Sequence, residues 1–195
     1  MHPNCAAVDE ILRAAGLPGR VRMLDKAVTT ARAAAEHLGC PVGAIANSLI
    51  FETFIAGSVS TREQLIGTAG SVSTREQLKE TAGSVGLREQ LKETAVGAPL
   101  LIMTSGAHRV DMNKVGGQLG VKLRRASPAF VREHTGQPIG GVAPVGHPQP
   151  IRTIVDRTLD DFDQLWAAGG IPHAVFPLTY DELIKLTGGA QADVS

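Results

Sequence analysis

The sequence lacks three features that would assign it to common classes of protein. It has no excess charge of either sign, because 19 Lys and Arg residues balance 19 Asp and Glu residues in a chain of 195. This balance disfavours a protein that coats nucleic acid through positive charge over its whole surface, although it leaves a local basic face open. No stretch approaches the roughly 18 consecutive apolar residues of a membrane span, and residues 1–15 show no basic segment followed by an apolar one. We therefore expect a cytoplasmic protein with no membrane partner.

Cysteine is scarce, and the common cofactor motifs are missing. Cys5 and Cys40 form no CxxC pair and have no neighbouring histidine at zinc-ligand spacing. Neither a disulfide framework nor a metal site is therefore indicated. The sequence also contains no P-loop, no GxGxxG, no HExxH and no evident Ser–His–Asp order. We expect no cofactor, no metal and no dedicated nucleophile triad.

What the sequence does contain is an alternation of strand and helix patterns. With 43% hydrophobic and 19% charged residues, the composition is that of a globular chain. Hydrophobic spacing predicts strands over 21–24, 44–51, 99–104, 121–126, 150–156 and 173–176, and helices over 8–16, 29–38, 112–119, 127–134, 159–168 and 180–186. This alternation favours an α/β fold with a mixed sheet, built as one domain over residues 1–195.

A thirteen-residue repeat separates the predicted strands at 44–51 and 99–104. Its three copies are Gly57–Ala69, Gly70–Ala82 and Gly83–Ala95. At about 100° per residue, a period of thirteen does not bring successive leucines onto one helical stripe, so one continuous amphipathic helix is disfavoured. We interpret the segment at about 57–95 as a surface insertion without a catalytic role. A partner-binding or RNA-binding appendage and a self-association element remain as alternatives.

The segment 137–148, QPIGGVAPVGHP, is the most informative candidate for chemistry. The adjacent Gly140 and Gly141 allow the main chain to approach a ligand closely, and Pro144 and Pro148 stiffen the chain beyond them. Such a loop can present backbone N–H groups to a carbonyl or phosphate oxygen. The alternative is a pair of ordinary turns that join a helix to a strand.

A second polar segment, residues 104–111, follows the predicted strand at 99–104. Polar residues at the end of a buried strand are a common location for sites in α/β sheets, although Arg109 and Asp111 also suit a solvated ion pair. Residues 105–135 contain six basic and two acidic side chains, whereas acidic residues predominate over 151–186. This polarity favours docking of one phosphate-bearing end rather than a long duplex.

Three segments together, 45–51, 101–111 and 139–146, resemble the YbaK/EbsC family, the freestanding relatives of the editing domain inserted in bacterial prolyl-tRNA synthetases. The resemblance spans nearly all of the chain except the repeat. It implies an α/β fold in which a mixed sheet curls into a partly closed barrel with flanking helices. It also implies trans-acting hydrolysis of the ester that links a wrong amino acid to tRNA. The implied partners are the aminoacyl-tRNA acceptor end and an aminoacyl-tRNA synthetase, and a homodimer is left open.

The resemblance also implies a set of site residues. Gly140 to Pro144 match the family's GxxxP loop, whose backbone amides hold the aminoacyl group and its carbonyl. Asn47 stands where editing members usually carry a lysine, which replaces a full positive charge by a neutral donor of about half the hydrogen-bonding strength. The predicted catalytic residues are Asn47, Gly140 and Gly141. The predicted substrate-binding residues are Ser48, Thr104, Ser105, Gly106, Arg109, Asp111, Val142, Ala143, Pro144 and His147.

These residues support two functional hypotheses. The first is an aminoacyl-tRNA deacylase in which the substrate's own hydroxyl groups and backbone positioning activate water, since no strong side-chain base is evident. The second is a binding or regulatory relative that keeps the pocket but has lost turnover together with the lysine.

Overall fold

The computed structural model describes residues 1–55 and 97–195, without the Ile55 side chain. The repeat predicted as an insertion at about 57–95 lies outside these residues. Within them the helices are α1 (Pro3–Ala14), α2 (Ala31–Leu38), α3 (Met112–Leu119), α4 (Pro128–Thr135) and α5 (Tyr180–Thr187). The strands are β1 (Arg22–Met23), β2 (Ile45–Ile55), β3 (Ala98–Ser105), β4 (Val121–Arg125), β5 (Arg152–Asp156), β6 (Leu165–Ala168), β7 (Ala174–Leu178) and β8 (Ala190–Ala192).

These strands form one mixed sheet in the order β1-β7-β6-β2-β3-β5-β8, with β4 paired to β2 outside this path. Three pairs are parallel, namely β2 with β6, β3 with β5 and β5 with β8, and the others are antiparallel. The two end strands, β1 and β8, do not pair with each other, so the sheet is not closed. The expected α/β class, with a mixed, incompletely closed sheet and flanking helices, is confirmed.

The helices begin and end where local chemistry dictates. Ser127 caps α4 by accepting a hydrogen bond from the Phe130 amide, and Thr179 caps α5 with a reciprocal bond to Glu182. Four helices end at a glycine in the left-handed region, which a residue without Cβ adopts at little cost; these are Gly39, Gly120, Gly136 and Gly188. The predicted helix at 112–119 is confirmed at both ends.

One predicted element is wrong. The hydrophobic spacing of residues 159–168 predicts a helix, but Arg157–Asp161 form a short 3₁₀ helix and Leu165–Ala168 form β6. Trp166 lies opposite Ile45 of β2, and Ala167 lies opposite Phe176 of β7, so β6 is held on both edges. Its residues 165–167 are buried, and a short buried run fits either periodicity. Tertiary pairing therefore decided the conformation of this segment.

The sheet has a gap along one edge of β2. The edge opposite β3 pairs with β6 only at Ile45 and Ala46, and with β4 only from Phe51 onward. On that edge, residues 47–49 have no neighbouring strand among the described residues. We call this stretch the β2 gap.

Candidate functional site

The β2 gap leaves main-chain groups of one residue free to bind a ligand. The Ile45 carbonyl accepts from the Gly106 amide next to β3, whereas the Ile50 carbonyl accepts from Ala126 on the opposite edge. Since backbone groups in a strand alternate between its edges, the N–H and C=O of Ser48 face the gap. The described residues provide no main-chain partner for them. A paired strand satisfies such groups internally, so the gap is a place where a ligand can supply the missing hydrogen bonds.

A cavity of about 180 Å³ occupies this gap. Its walls come from four parts of the chain: β2 at residues 45–49, the start of α2 with the preceding residues 28–30, β6 with β7, and the segment 139–142. The lining is mainly apolar, and its polar side chains are Asn47, Ser48, Thr29 and Thr30. None of the described residues that line it carries an ionisable side chain. We call it the first cavity.

Asn47 and the glycine segment reach the first cavity from opposite faces of the sheet. Val142 and Ala143 pack in the same cluster as Ala46 and Ile50, whereas Ile45 packs against α2 and Trp166. Because side chains alternate along a strand, Asn47 shares the face of Ile45, and Ser48 shares the face of Ala46. The β2 gap joins the two faces, and Asn47 and Gly140 therefore line one cavity.

The loop over residues 137–147, which we call the Gly140 loop, is held by a buried amide that no sequence motif indicated. Gln137 is only 1% exposed. Its Oε1 accepts from the Ala143 amide at 2.6 Å, and its Nε2 donates to the Val145 and Gly146 carbonyls at 3.2 and 3.4 Å. One side chain thus replaces three main-chain partners and fixes the loop without a strand pairing.

The two glycines of this loop have different environments. Gly140 has a φ of +82°, which favours glycine, and lies at the cavity beside Thr29. Gly141 is buried behind the wall, where an added Cβ would lie 2.3 Å from the Ile171 carbonyl carbon. Its amide donates to the Pro138 carbonyl in a turn. Among the described residues, the amides of Gly140 and Val142, which line the cavity, have no protein acceptor, so they are available to a ligand.

The predicted residues of the second polar segment lie apart from the first cavity. Thr104 and Ser105 are buried beside Asp156: the Thr104 hydroxyl and the Ser105 amide each donate to Asp156 Oδ2 at 3.2 Å. Asp156 is fully buried, and its Oδ1 accepts from the Thr158 amide. His108 Nδ1 lies 3.5 Å from Asp156 Oδ2 and 3.1 Å from the Thr158 hydroxyl oxygen. We call these five residues the Asp156 cluster.

The other predicted residues of this segment have local tasks. Asp111 caps α3 by accepting from the amides of Asn113 and Lys114. Gly106 packs so closely that an added Cβ would lie 2.4 Å from the Val42 carbonyl oxygen. Arg109 is exposed. None of the three lines the first cavity, and their part in substrate binding stays a prediction.

Three more predicted residues of the Gly140 loop, Ala143, Pro144 and His147, lie outside the first cavity as well. Pro144 and His147 line a separate hollow on the far side of the loop. The His147 Nε2 lies 2.9 Å from the Ala143 carbonyl oxygen. Burial lowers the pKa of His147 from its ordinary value of 6.5, because desolvation penalises the charged ring more than this hydrogen bond favours it. Ala143 is fully buried.

The cavity also contains residues that no local pattern indicated. Thr30 caps α2 by accepting from the Ala33 amide, and this role gave no sign that Thr29 and Thr30 form a cavity wall. Trp166 and Ala168 belong to β6, which was predicted as a helix, and Pro172 follows it. In the described parts of the chain, His, Cys, Asp and Glu side chains form no group of three or more that could hold a metal ion. Helices long and apolar enough to cross a membrane are likewise not found over residues 1–55 and 97–195.

The fold and cavity define an α/β protein with a mainly apolar cavity at an interrupted strand of a mixed sheet. The sequence profile of the aminoacyl-tRNA editing domain matches residues 68–186, which is more than half of the chain. The chain therefore belongs to the aminoacyl-tRNA editing domain family, and the match confirms the resemblance that the three motifs indicated.

Three individual proteins are similar to this chain, and one of them is named for editing. A crystal structure of a proposed trans-editing enzyme for prolyl tRNA synthetase is 32% identical, covers 100% of this chain and 98% of its own, and superimposes with a TM-score of 0.73. A scaffold protein from the computational grafting of linear epitopes is 28% identical, with coverage of 100% and 99% and a TM-score of 0.74. The uncharacterized protein YwhH of Bacillus subtilis is 33% identical over 88 residues, which span 45% of this chain and 56% of YwhH.

Proposed function

We propose that this protein is a trans-acting aminoacyl-tRNA deacylase that hydrolyses the ester of mischarged tRNA in the first cavity. The observation that carries the proposal is that Asn47 and Gly140, far apart in sequence, line one cavity at the β2 gap. Membership of the editing domain family and the similarity to a proposed trans-editing enzyme support it. The partners implied by this activity are the acceptor end of an aminoacyl-tRNA and a synthetase that charges it.

The cavity suits an aminoacyl group better than a whole nucleotide. Pockets that enclose drug-sized ligands have volumes of about 300–1,000 Å³, and this one has about 180 Å³. Its apolar lining includes Val28, Ala34, Val142 and Val175. We therefore expect a small, uncharged side chain on the substrate, because a charged group would lose its hydration there without an ionic partner.

The polar groups at the cavity can orient the ester. The amides of Ser48, Gly140 and Val142 are donors for the carbonyl oxygen as it becomes an oxyanion, and removal of one such donor typically costs 10²–10³ in kcat. The Asn47 amide provides a further neutral donor. Asn47, Gly140, Ser48 and Val142 thus form the proposed binding set, with Gly141 behind the wall as a positioning residue.

None of the described residues that line the cavity has an ionisable side chain. The substrate itself therefore accepts the proton that the attacking water gives up. The water oxygen attacks the carbonyl carbon, and the bond between that carbon and the ribose oxygen breaks. The ribose oxygen receives a proton, and the free amino acid departs with the hydroxyl group of the water. A neighbouring ribose hydroxyl can relay the proton, so the protein contributes by orientation and by backbone donors.

The test is a deacylation panel with alanyl, cysteinyl, seryl and threonyl esters on several tRNAs. We expect release of at least one amino acid above the uncatalysed rate. Asn47→Ala should lower kcat/KM about tenfold, because the lost hydrogen bond stabilises the transition state by about 1–2 kcal/mol. Asn113→Ala, at an exposed asparagine of α3, is the matched control and should leave the rate unchanged. Uncatalysed release across the whole panel would refute the proposal.

A second function is favoured by the uncharged lining of the same cavity. Without a base or a cation, the domain would bind an acylated end and protect or deliver it without hydrolysis. Asn47→Lys separates the two functions. Activity that appears only in this variant supports the binding relative, whereas activity in the unmodified chain supports the deacylase.

A further inference from the structure

A second cavity, of about 150 Å³, adjoins the first. The two share one wall, made of Ser48 and Leu49 of β2 and of Ile139, Gly140 and Val142 of the Gly140 loop. The remaining lining comes from Ile50 and Phe51 of β2, from the end of β4 and from α4. A ligand that fills the first cavity therefore has a continuation at hand, and an aminoacyl group esterified to a nucleoside needs one.

Arg125 is the single charged residue among the described residues that line the two cavities. It is exposed, and the described residues give its side chain no hydrogen-bond or ion-pair partner. The adjacent Arg124 differs: its guanidinium lies 2.6 Å from Glu52 Oε2 and packs over the Phe54 ring. The sequence contains two neighbouring arginines, but only Arg125 faces a cavity with its charge uncommitted.

Arg125 lies on the same face of the sheet as Asn47. It is opposite Phe51 in the β2–β4 register, and residues opposite each other in a ladder share a face. Phe51 follows Asn47 by four residues, so the two positions are about 13 Å apart along the strand. A nucleoside and an arginine side chain together span such a distance. The positive charge absent at position 47 is thus present across the β2 gap.

Ile139 adds an apolar surface at the junction. It is 55% exposed and lines both cavities. Large exposed aliphatic side chains are uncommon in the described part of this protein, and this one stands where a ribose or base would pass from one cavity to the next. Contact with a ligand would remove it from water.

We infer that the second cavity receives part of the terminal nucleotide of the substrate, its ribose or its base, and that Arg125 pairs with the 5′-phosphate. The inference rests on the proposed function for the identity of the ligand, but phosphate recognition can be measured without hydrolysis. It makes Arg125 a specificity residue for phosphorylated over unphosphorylated ends. A guanidinium is suited to this because its planar donors match two phosphate oxygens.

The direct experiment compares binding of 5′-AMP and adenosine to the full chain by calorimetry at low salt. We expect 5′-AMP to bind about tenfold more tightly, as a charge-assisted hydrogen bond allows. Arg125→Gln should abolish this preference. Arg124→Gln, which removes an equal charge from the next residue of the same strand, should retain it to within about twofold. Thermal unfolding of each variant checks that it is folded.

Three results would overturn the inference: equal binding of both compounds to the unmodified protein, an unchanged preference in Arg125→Gln, or no measurable binding of 5′-AMP at millimolar concentration. A companion assay uses aminoacyl esters of adenosine with and without the 5′-phosphate. If the proposed function fails, neither ester is hydrolysed although the 5′-AMP preference remains. If only this inference fails, both esters are hydrolysed at equal rates.

Discussion

The Asp156 cluster and the β2 gap both contain polar groups beside buried strands, but they differ in whether those groups have hydrogen-bond partners within the protein. In the Asp156 cluster each carboxylate oxygen has donors within the protein, and Ser105 also bonds to the Gly43 carbonyl at 2.9 Å. At the β2 gap, the amides of Ser48, Gly140 and Val142 have no acceptor among the described residues. A satisfied polar cluster stabilises the fold, whereas unsatisfied main-chain groups beside a cavity can bind a ligand.

The Asp156 cluster and the β2 gap are also built from different kinds of residue. The Asp156 cluster depends on an ionisable side chain that is wholly buried. The β2 gap depends on strand registry and on glycines that allow close approach. Substitutions in the Asp156 cluster should therefore mainly change the stability of the fold. Small substitutions at the β2 gap should change substrate binding, unless they disturb the packing of the first cavity's wall.

The largest effect is expected at the wall itself, for Gly141→Ala. The new Cβ would lie 2.3 and 2.5 Å from main-chain atoms of Ile171, which cannot rotate away. We expect a loss of about 3 kcal/mol in the free energy of unfolding, the upper end for overpacking. Urea denaturation measures it. Gly117→Ala is the control, because that glycine lies in α3 with no atom within 4 Å of the added Cβ and should gain about 0.5–1 kcal/mol. An unchanged midpoint for Gly141→Ala would contradict the close contact.

The next effect tests the Asp156 cluster through Asp156→Asn. An amide places a donor where one carboxylate oxygen accepts, so either the Ser105 or the Thr158 amide loses its acceptor. We expect a loss of about 2 kcal/mol in the free energy of unfolding. Ester hydrolysis by the folded variant should change by less than about threefold.

The control for this variant is Asp161→Asn, at an exposed carboxylate, which should be neutral by both measurements. If Asp156→Asn instead retains its stability and loses ester hydrolysis, the Asp156 cluster is not merely structural and belongs to the catalytic site together with the β2 gap.

The smallest effect concerns His147, on the far side of the Gly140 loop. Burial lowers its pKa in the folded protein, so the unfolded chain binds the proton more readily. This contribution to stability is constant above the unfolded pKa and is lost as the pH falls below about 6.5. In urea unfolding between pH 8 and pH 5, His147→Gln should therefore show a shallower decline than the parent. A steeper decline in the variant would show that the sign is wrong.

Much of the fold was predictable because local signals coincide with tertiary ones. The helix at 112–119 has a capping aspartate before it and a glycine after it, and its bounds were correct. The strand at 45–55 is rich in β-branched and aromatic residues, and the strand at 98–105 is a short run of buried apolar residues. β6 was missed because four residues, three of them buried in a row, carry no period that distinguishes a strand from a helix, and β8, with three residues, gives even less signal.

The site was only partly predictable, for a different reason. Asn47 and Gly140 were indicated by motifs, but the cavity wall at Thr29 and Trp166 and the bracing role of Gln137 depend on contacts between distant parts of the chain. Arg125 was counted in a basic segment without any indication of its position. Sequence patterns report the neighbours of a residue along the chain, and these residues act through neighbours across the fold.

The sequence by itself determined the class of fold, the family and the two segments that meet at the cavity, because hydrophobic periodicity and glycine placement are local properties of the chain. Only the tertiary structure decided that β2 changes partners along its length. That change leaves the N–H and C=O of Ser48, which face away from β3, without a partner among the described residues, and it separates the satisfied Asp156 cluster from the open cavity. The reason is physical: whether a backbone group is free depends on which strand reaches it, and strand registry is set by the packing of the whole sheet.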